Sequence, residues 1–165
     1  MGILNFVKPD KIVLQKATDF EAQFEFRPLE PGYGVTIGNA LRRVLLNSLE
    51  GYAIVGINLT GADHEFATIK GVTEDVTEMI LNLKQVRFKP KVDHDVSSEK
   101  ITLNLKNKTE FTAGMIAEVS PAFQVMNPEL LICTLDNSAK LDIEITIGKG
   151  RGYVPAEEHK EKNSH

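Results

Sequence analysis

Phe20-Glu21-Ala22-Gln23-Phe24-Glu25-Phe26-Arg27 alternates apolar and polar residues without a break, so Phe20, Ala22, Phe24 and Phe26 share one side. Period-two alternation marks a strand with one packed and one wetted face, the habit of antiparallel sheets. Lys11 to Ala17 reads as a weaker strand before it. The following Pro28-Leu29-Glu30-Pro31-Gly32-Tyr33-Gly34 holds two prolines and two glycines, which forbid either regular element and make a turn. A helix then runs from about Thr36 to Leu49, with Gly51 as its stop. On a 3.6-residue wheel Ile37, Leu41, Val44, Leu45, Ser48 and Leu49 lie together, with Ala40 at the margin. Leu46 falls on the opposite side, beside Arg42, Arg43, Asn39 and Glu50.

Downstream, Ala53 to Thr60 reads as a strand. A second helix spans about Glu74 to Lys84, with Thr73 as N-cap, acidic residues in its first turn, and Val76, Met79, Ile80 and Leu83 as its buried stripe. The remainder is strand-rich: Val86 to Val92, Lys100 to Lys106, Leu130 to Leu135 and Lys140 to Ile147. Leu141, Ile143, Ile145 and Ile147 alternate with polar residues, and Asp136-Asn137-Ser138-Ala139 reads as the hairpin turn leading in. From about Glu157 onward the chain is charged and reads as a frayed tail. The expected class is α+β, mainly antiparallel, with two principal helices.

The chain has 165 residues, with Lys plus Arg 19 and Asp plus Glu 23, for a net charge of −4. That length suits one ordinary domain or two small ones. Without a basic surplus, phosphate neutralisation by charge is not supported, so direct nucleic-acid binding is not expected. The single cysteine, Cys133, rules out an internal disulfide and fits a reducing compartment. No apolar run reaches the roughly 20 residues of a membrane-spanning helix. The start, Met1-Gly2-Ile3-Leu4-Asn5-Phe6, lacks the basic flank and apolar core of a signal peptide, and Phe6 occupies the position where myristoylation wants Ser or Thr. The expectation is a soluble, cytoplasmic protein.

Four motifs invite chemistry. Gly32 to Gly38 lies between a strand and a helix, as a phosphate loop does. The preceding strand is half polar, though, where the strand of a dinucleotide-binding unit is buried on both faces. Glycines that serve the turn and close helix packing are the simpler account. Asp63-His64-Glu65 suggests acid–base or metal chemistry, but neighbours in an extended chain point to opposite faces unless the backbone kinks. His94, His159 and His165 lack zinc-type spacing. Cys133 sits in an apolar run, where a thiol is buried and inert. Gly148-Lys149-Gly150-Arg151-Gly152 precedes no helix and reads as a flexible loop. No catalytic residue, cofactor or metal is assigned. Arg42, Arg43 and Leu46 are different: arginines flanking an apolar anchor have the composition of an interface centre.

Three stretches resemble the alpha-subunit family of bacterial DNA-directed RNA polymerase. They are Glu30-Pro31-Gly32-Tyr33-Gly34-Val35-Thr36-Ile37-Gly38-Asn39-Ala40-Leu41-Arg42-Arg43-Val44-Leu45-Leu46, His64 to Val76 continuing through Ile80-Leu81-Asn82-Leu83-Lys84, and Gly150-Arg151-Gly152-Tyr153-Val154-Pro155-Ala156. The resemblance spans essentially the whole chain. It implies a homodimeric subunit without an active site of its own that docks the beta and beta-prime subunits of a nucleotidyltransferase complex. By motif position, Arg43 and Leu46, with Arg42 beside them, become beta contacts, and Lys84 and more weakly Glu78 become beta-prime contacts. Ile37, Leu41, Val44 and Leu45 become the dimer or core face of the first helix. Residues 1–50 would be the first half of a dimerisation subdomain, and 51–165 an inserted strand-rich one. The family's amino-terminal domain continues beyond this point with the returning half of the dimerisation subdomain, so the first helix is expected to lose part of its cover. Two other readings stay open: a nucleotide-dependent enzyme using residues 32–38, and a stand-alone dimeric adaptor.

Overall fold

The computed structural model describes residues 5–18, 21–91, 96–136 and 138–162. The chain forms two compact units, Met1–Leu49 and Glu50–His165.

In the first unit, β1 (Lys11–Ala17) and β2 (Ala22–Arg27) pair antiparallel, from Lys11 opposite Arg27 to Ala17 opposite Ala22. Phe20 lies outside the described residues. Phe24 is 63% exposed and Ala22 is exposed too. Phe26 is half-buried, so the packed face expected for this strand is only partly covered among the described residues, because a two-stranded ribbon has no covering layer of its own. The helix α1 spans Tyr33–Asn47 and so begins earlier than its apolar periodicity suggests. Gly32, at φ +88°, turns the chain into it through a left-handed conformation open to glycine. The turn is held by the Tyr33 amide donating to the Glu30 carbonyl at 3.1 Å and by the Val7 amide donating to Glu30 Oε1 at 2.9 Å. Phe6 packs edge-on to Tyr33 with ring centroids 5.2 Å apart.

The second unit is built around its longest strand. Its elements in order are β3 (Glu50–Leu59), α2 (Val76–Leu83), β4 (Phe88–Pro90), β5 (Ser98–Lys106), β6 (Glu110–Thr112), α3 (Ala113–Val119), β7 (Phe123–Val125), β8 (Leu131–Thr134), β9 (Lys140–Arg151) and α4 (Ala156–Lys162). One antiparallel sheet has the order β3-β9-β5, while β4 pairs with β7 and β6 with β8. The alternating Leu141, Ile143, Ile145 and Ile147 of β9 are all fully buried. They meet Leu103 and Leu105 of β5, Met79 and Leu83 of α2, and Phe111, Ile116, Phe123 and Ile132 in one apolar core. Burial of each such side chain is worth about 1.5–3 kcal/mol.

Five local expectations are corrected. The N-cap of α2 is Asp75, not Thr73: the Asp75 carboxylate accepts from the Glu78 amide at 2.7 Å, and the Glu78 carboxylate accepts from the Asp75 amide at 3.3 Å. This reciprocal capping box satisfies two helix-end donors that a lone Thr cannot. Asp136–Ala139 turns the chain but makes no hairpin, since β8 pairs with β6 and β9 with β3 and β5; Asn137 within it lies outside the described residues. The segment from Gly148 to Arg151 is strand, not loop, because it continues β9 along Glu50–Ala53 of β3. In place of the frayed tail from Glu157, α4 forms behind Pro155, with Glu157 and Glu158 in its first turn, where carboxylates favour the helix dipole. The strand expected over Val86 to Val92 shortens to β4; Val92 is outside the described residues. The short α3 was not anticipated from periodicity.

Candidate functional site

No residue of α1 is buried. On the face expected to meet a dimer partner or core, Leu41 is 56%, Val44 50% and Leu45 62% exposed, while Ile37 is half-buried. On the other side Leu46 is 58% exposed, with Arg42 and Arg43 also exposed. Neither guanidinium is engaged by a described residue. Such side chains in a contiguous run exceed the scattered apolar residues of an ordinary surface. The exposed surface of α1 is therefore apolar along one side and mixed Arg and Leu along the other.

The glycines of residues 32–38 do not assemble a phosphate cradle. Gly32 precedes α1, whereas Gly34 and Gly38 lie within it, and a Cβ on either would meet nothing within 4 Å. The strand before them belongs to an antiparallel two-stranded ribbon, not to a parallel βαβ unit. Of the simpler account for these glycines, the turn at Gly32 is present; close packing at Gly34 and Gly38 is not found among the described residues.

In the second unit, a hollow of about 450 Å³ runs between β3, the segment after it and α2. Val76, Ile80 and Leu83 line it from α2, together with Lys84, the C-cap residue, and Ala156 of α4. Asp63, His64 and Glu65 border it as well. The sequence pattern left these three apart because it treats them as extended. The chain instead turns sharply after β3, with Gly61 at φ +90°, and all three line the same hollow. The Thr60-Gly61 pair was the available signal. Among the described residues they form no metal-binding cluster. His94 and His165 lie outside those residues.

Lys84 and Glu78, paired in the sequence reading, are not brought together. Lys84 borders the hollow, whereas Glu78 is not part of its lining and its carboxylate closes the α2 capping box. Nearby, Glu74 receives the Thr134 amide at 2.6 Å and its hydroxyl at 3.1 Å, tying the start of α2 to β8. Cys133 is fully buried. Burial, and then the Glu74 carboxylate, push its thiol up to about 12, so it is no nucleophile at neutral pH.

The former glycine-rich "loop" forms an ion-pair clamp. Glu50 Oε2 lies 2.9 Å from Lys149 Nζ, and Glu50 Oε1 accepts from Arg151. Arg151 and then Lys149 hold the Glu50 carboxyl down at about 2. Gly148 is needed where β9 passes β3, since a Cβ there would stand 3.1 Å from both Val55 methyls.

The fold and these surfaces define an α+β protein with an exposed apolar helix and no assembled catalytic constellation among the described residues. Residues 55–165 match the family model described as the RNA polymerase Rpb3/RpoA insert domain. The chain is 58% identical over 164 residues, 99% of its length, to the DNA-directed RNA polymerase subunit alpha of Flavobacterium psychrophilum. Identity is 61% over 160 residues, 97% of the chain, with that of Cytophaga hutchinsonii. It is 56% over 161 residues, 98% of the chain, with that of Bacteroides thetaiotaomicron. The chain belongs to the DNA-directed RNA polymerase alpha-subunit family. It spans about half the length of these relatives, 49% of the first and 48% of the other two.

Proposed function

We propose that this chain serves as a non-catalytic assembly module of DNA-directed RNA polymerase, itself a nucleotidyltransferase complex, in the cytoplasm. The observation that carries the reading is the exposure of apolar side chains on opposite sides of α1, with Leu41, Val44 and Leu45 on one and Leu46 on the other. One side suits a second copy of the subunit, through Ile37, Leu41, Val44 and Leu45. The other suits the beta subunit, gripped by Arg42, Arg43 and Leu46. A planar guanidinium beside an apolar anchor gives both geometric fit and desolvated area. Lys84, and less directly Glu78, serve the beta-prime side from the second unit. Among the described residues no helix is long and apolar enough to cross a membrane.

The mechanism is preorganisation. A single rigid helix holds two sets of side chains at fixed separation, so one protomer meets its sister and a catalytic subunit without reordering a loop. The test is Arg43→Ala in the full-length subunit. Circular dichroism and melting should stay unchanged while capture of purified beta in a pull-down is lost. Capture at the wild-type level would remove Arg43 from the reading.

A further inference from the structure

We propose that the open edge of β3 accepts an extended segment of a partner protein by strand addition, with its apolar side chains in the adjoining hollow and a basic residue against Asp63 and Glu65. This goes beyond the polymerase reading and does not depend on it. β3 stands at the margin of its sheet and pairs on one side only, with β9. The Thr60 amide donates to the Asp142 carbonyl at 3.0 Å. By the alternation of an antiparallel ladder, Thr60 and Asn58 therefore face β9, and Ile57 turns its N–H and C=O to the open side.

A hollow adjoins this strand. Six consecutive residues, Ile54 through Leu59, line it. A cavity beneath one face of a sheet touches alternate residues, so a continuous run marks an edge. Natural edges are defended with Lys, Pro or bulges. Glu50–Leu59 contains neither Lys nor Pro, and a register shift between Ile54 and Gly56 is its one such device. The floor alongside is apolar, from Val76, Ile80 and Leu83. At the C-terminal end of the strand, the side chains of Asp63, His64 and Glu65 are committed to no described residue. Two carboxylates, of Asp63 and Glu65, and one ammonium, of Lys84, are among the side chains that line the hollow, so its charged lining favours a cation.

That charge pattern also selects the occupant. A second copy of β3 brings no cation to Asp63 and Glu65: its one charged residue, Glu50, is acidic and already held by Lys149 and Arg151. A foreign strand that alternates apolar and polar residues and starts with Lys or Arg supplies that cation. Main-chain bonds then give affinity, and the hollow and rim give selection.

The experiment titrates the isotope-labelled chain with acetyl-Lys-Thr-Val-Thr-Val-Thr-Val-amide and follows backbone amide resonances. Shifts should concentrate on Ile54 to Leu59 and on Asp63 to Glu65. Methylating two alternate valine nitrogens of the peptide should weaken binding about tenfold, the loss expected for two main-chain bonds. Replacing its lysine by glutamate should weaken it a few-fold, and the double variant Asp63→Lys, Glu65→Lys should reverse that preference, its own spectrum reporting that it is folded. Absence of shifts along β3 at millimolar peptide would overturn the proposal, as would indifference to N-methylation. Peptide-free shifts along β3 that grow with protein concentration would overturn it in favour of self-pairing.

Discussion

Replacing Gly71 by alanine should destabilise the second unit far more than the same change at Gly61, although both glycines have positive φ, +84° and +90°. A non-glycine residue in the left-handed region costs about 1–2 kcal/mol at either site. The alanine also trims the entropy of the unfolded chain equally at both, so that contribution cancels in the comparison. The surroundings differ. At Gly61 a Cβ would meet nothing within 4 Å, whereas at Gly71 it would lie 2.9 Å from Ala139 Cα and 2.7 Å from Asp136 Oδ1. Neither neighbour can retreat freely. The Asp136 amide donates to the Gly71 carbonyl at 2.8 Å and the Thr73 amide to the Thr134 carbonyl at 3.1 Å. Val72 also bridges to Leu135, and Ala139 is buried. Forcing a methyl against pinned backbone adds about 1–3 kcal/mol. Gly71→Ala should therefore lose about 2–5 kcal/mol and Gly61→Ala about 1–2 kcal/mol. Because two compact units can unfold separately, the measurement should be local: hydrogen exchange of the Ile143 and Ile145 amides in β9, which report opening of the core. Equal losses for the two variants, within about 0.5 kcal/mol, would refute the close-approach explanation of Gly71.

Two further outcomes follow from groups held away from their usual ionisation. The Glu50 carboxyl has its ordinary value of 4.5 lowered to about 2 by Arg151 and Lys149, so the clamp's contribution is complete above 4.5 and is lost as pH falls through about 2. Because the Lys149 amide donates to the Ser97 carbonyl, the alternation of the ladder makes Gly51 and Gly150 the hydrogen-bonded pair beside the clamp; exchange protection there should decline over that window in the native chain, and the additional decline should be absent in Glu50→Gln. Cys133, pushed up to about 12, should resist iodoacetamide at neutral pH in the folded protein and react once the chain is unfolded in urea, as mass spectrometry would read. Prompt alkylation of the native chain would mean that the strand carrying it opens readily.

What could be read along the chain was the part that local periodicity encodes. The alternation of Leu141, Ile143, Ile145 and Ile147 identified the central strand because each apolar side chain needs burial and the pleat sends every second one the same way. The stripe Val76, Met79, Ile80, Leu83 identified α2 by the same reasoning at helical spacing; of these, Ile80 is only partly buried. On α1, the wheel separated Leu46, Arg42 and Arg43 from Ile37, Leu41, Val44 and Leu45, and that separation is a property of the sequence alone. Short elements escaped notice, because three residues in β4 or seven in α3 hold less than two helical turns or a strand's worth of pattern.

Pairing and convergence were decided only by the folded chain. Nothing local tells Gly148–Arg151 that β3 lies alongside, yet that neighbour turns a glycine-rich stretch into strand and draws Lys149 and Arg151 onto Glu50. The same holds for Asp63, His64 and Glu65, which line one hollow with Lys84 of the α2 C-cap after the chain turns at the end of β3. Amphipathic rhythm is written residue by residue, since it depends on each side chain's own affinity for water. Which strand lies beside which, and which charges end up facing one another, depends on contacts between residues far apart in the chain, and these exist only once the core has closed.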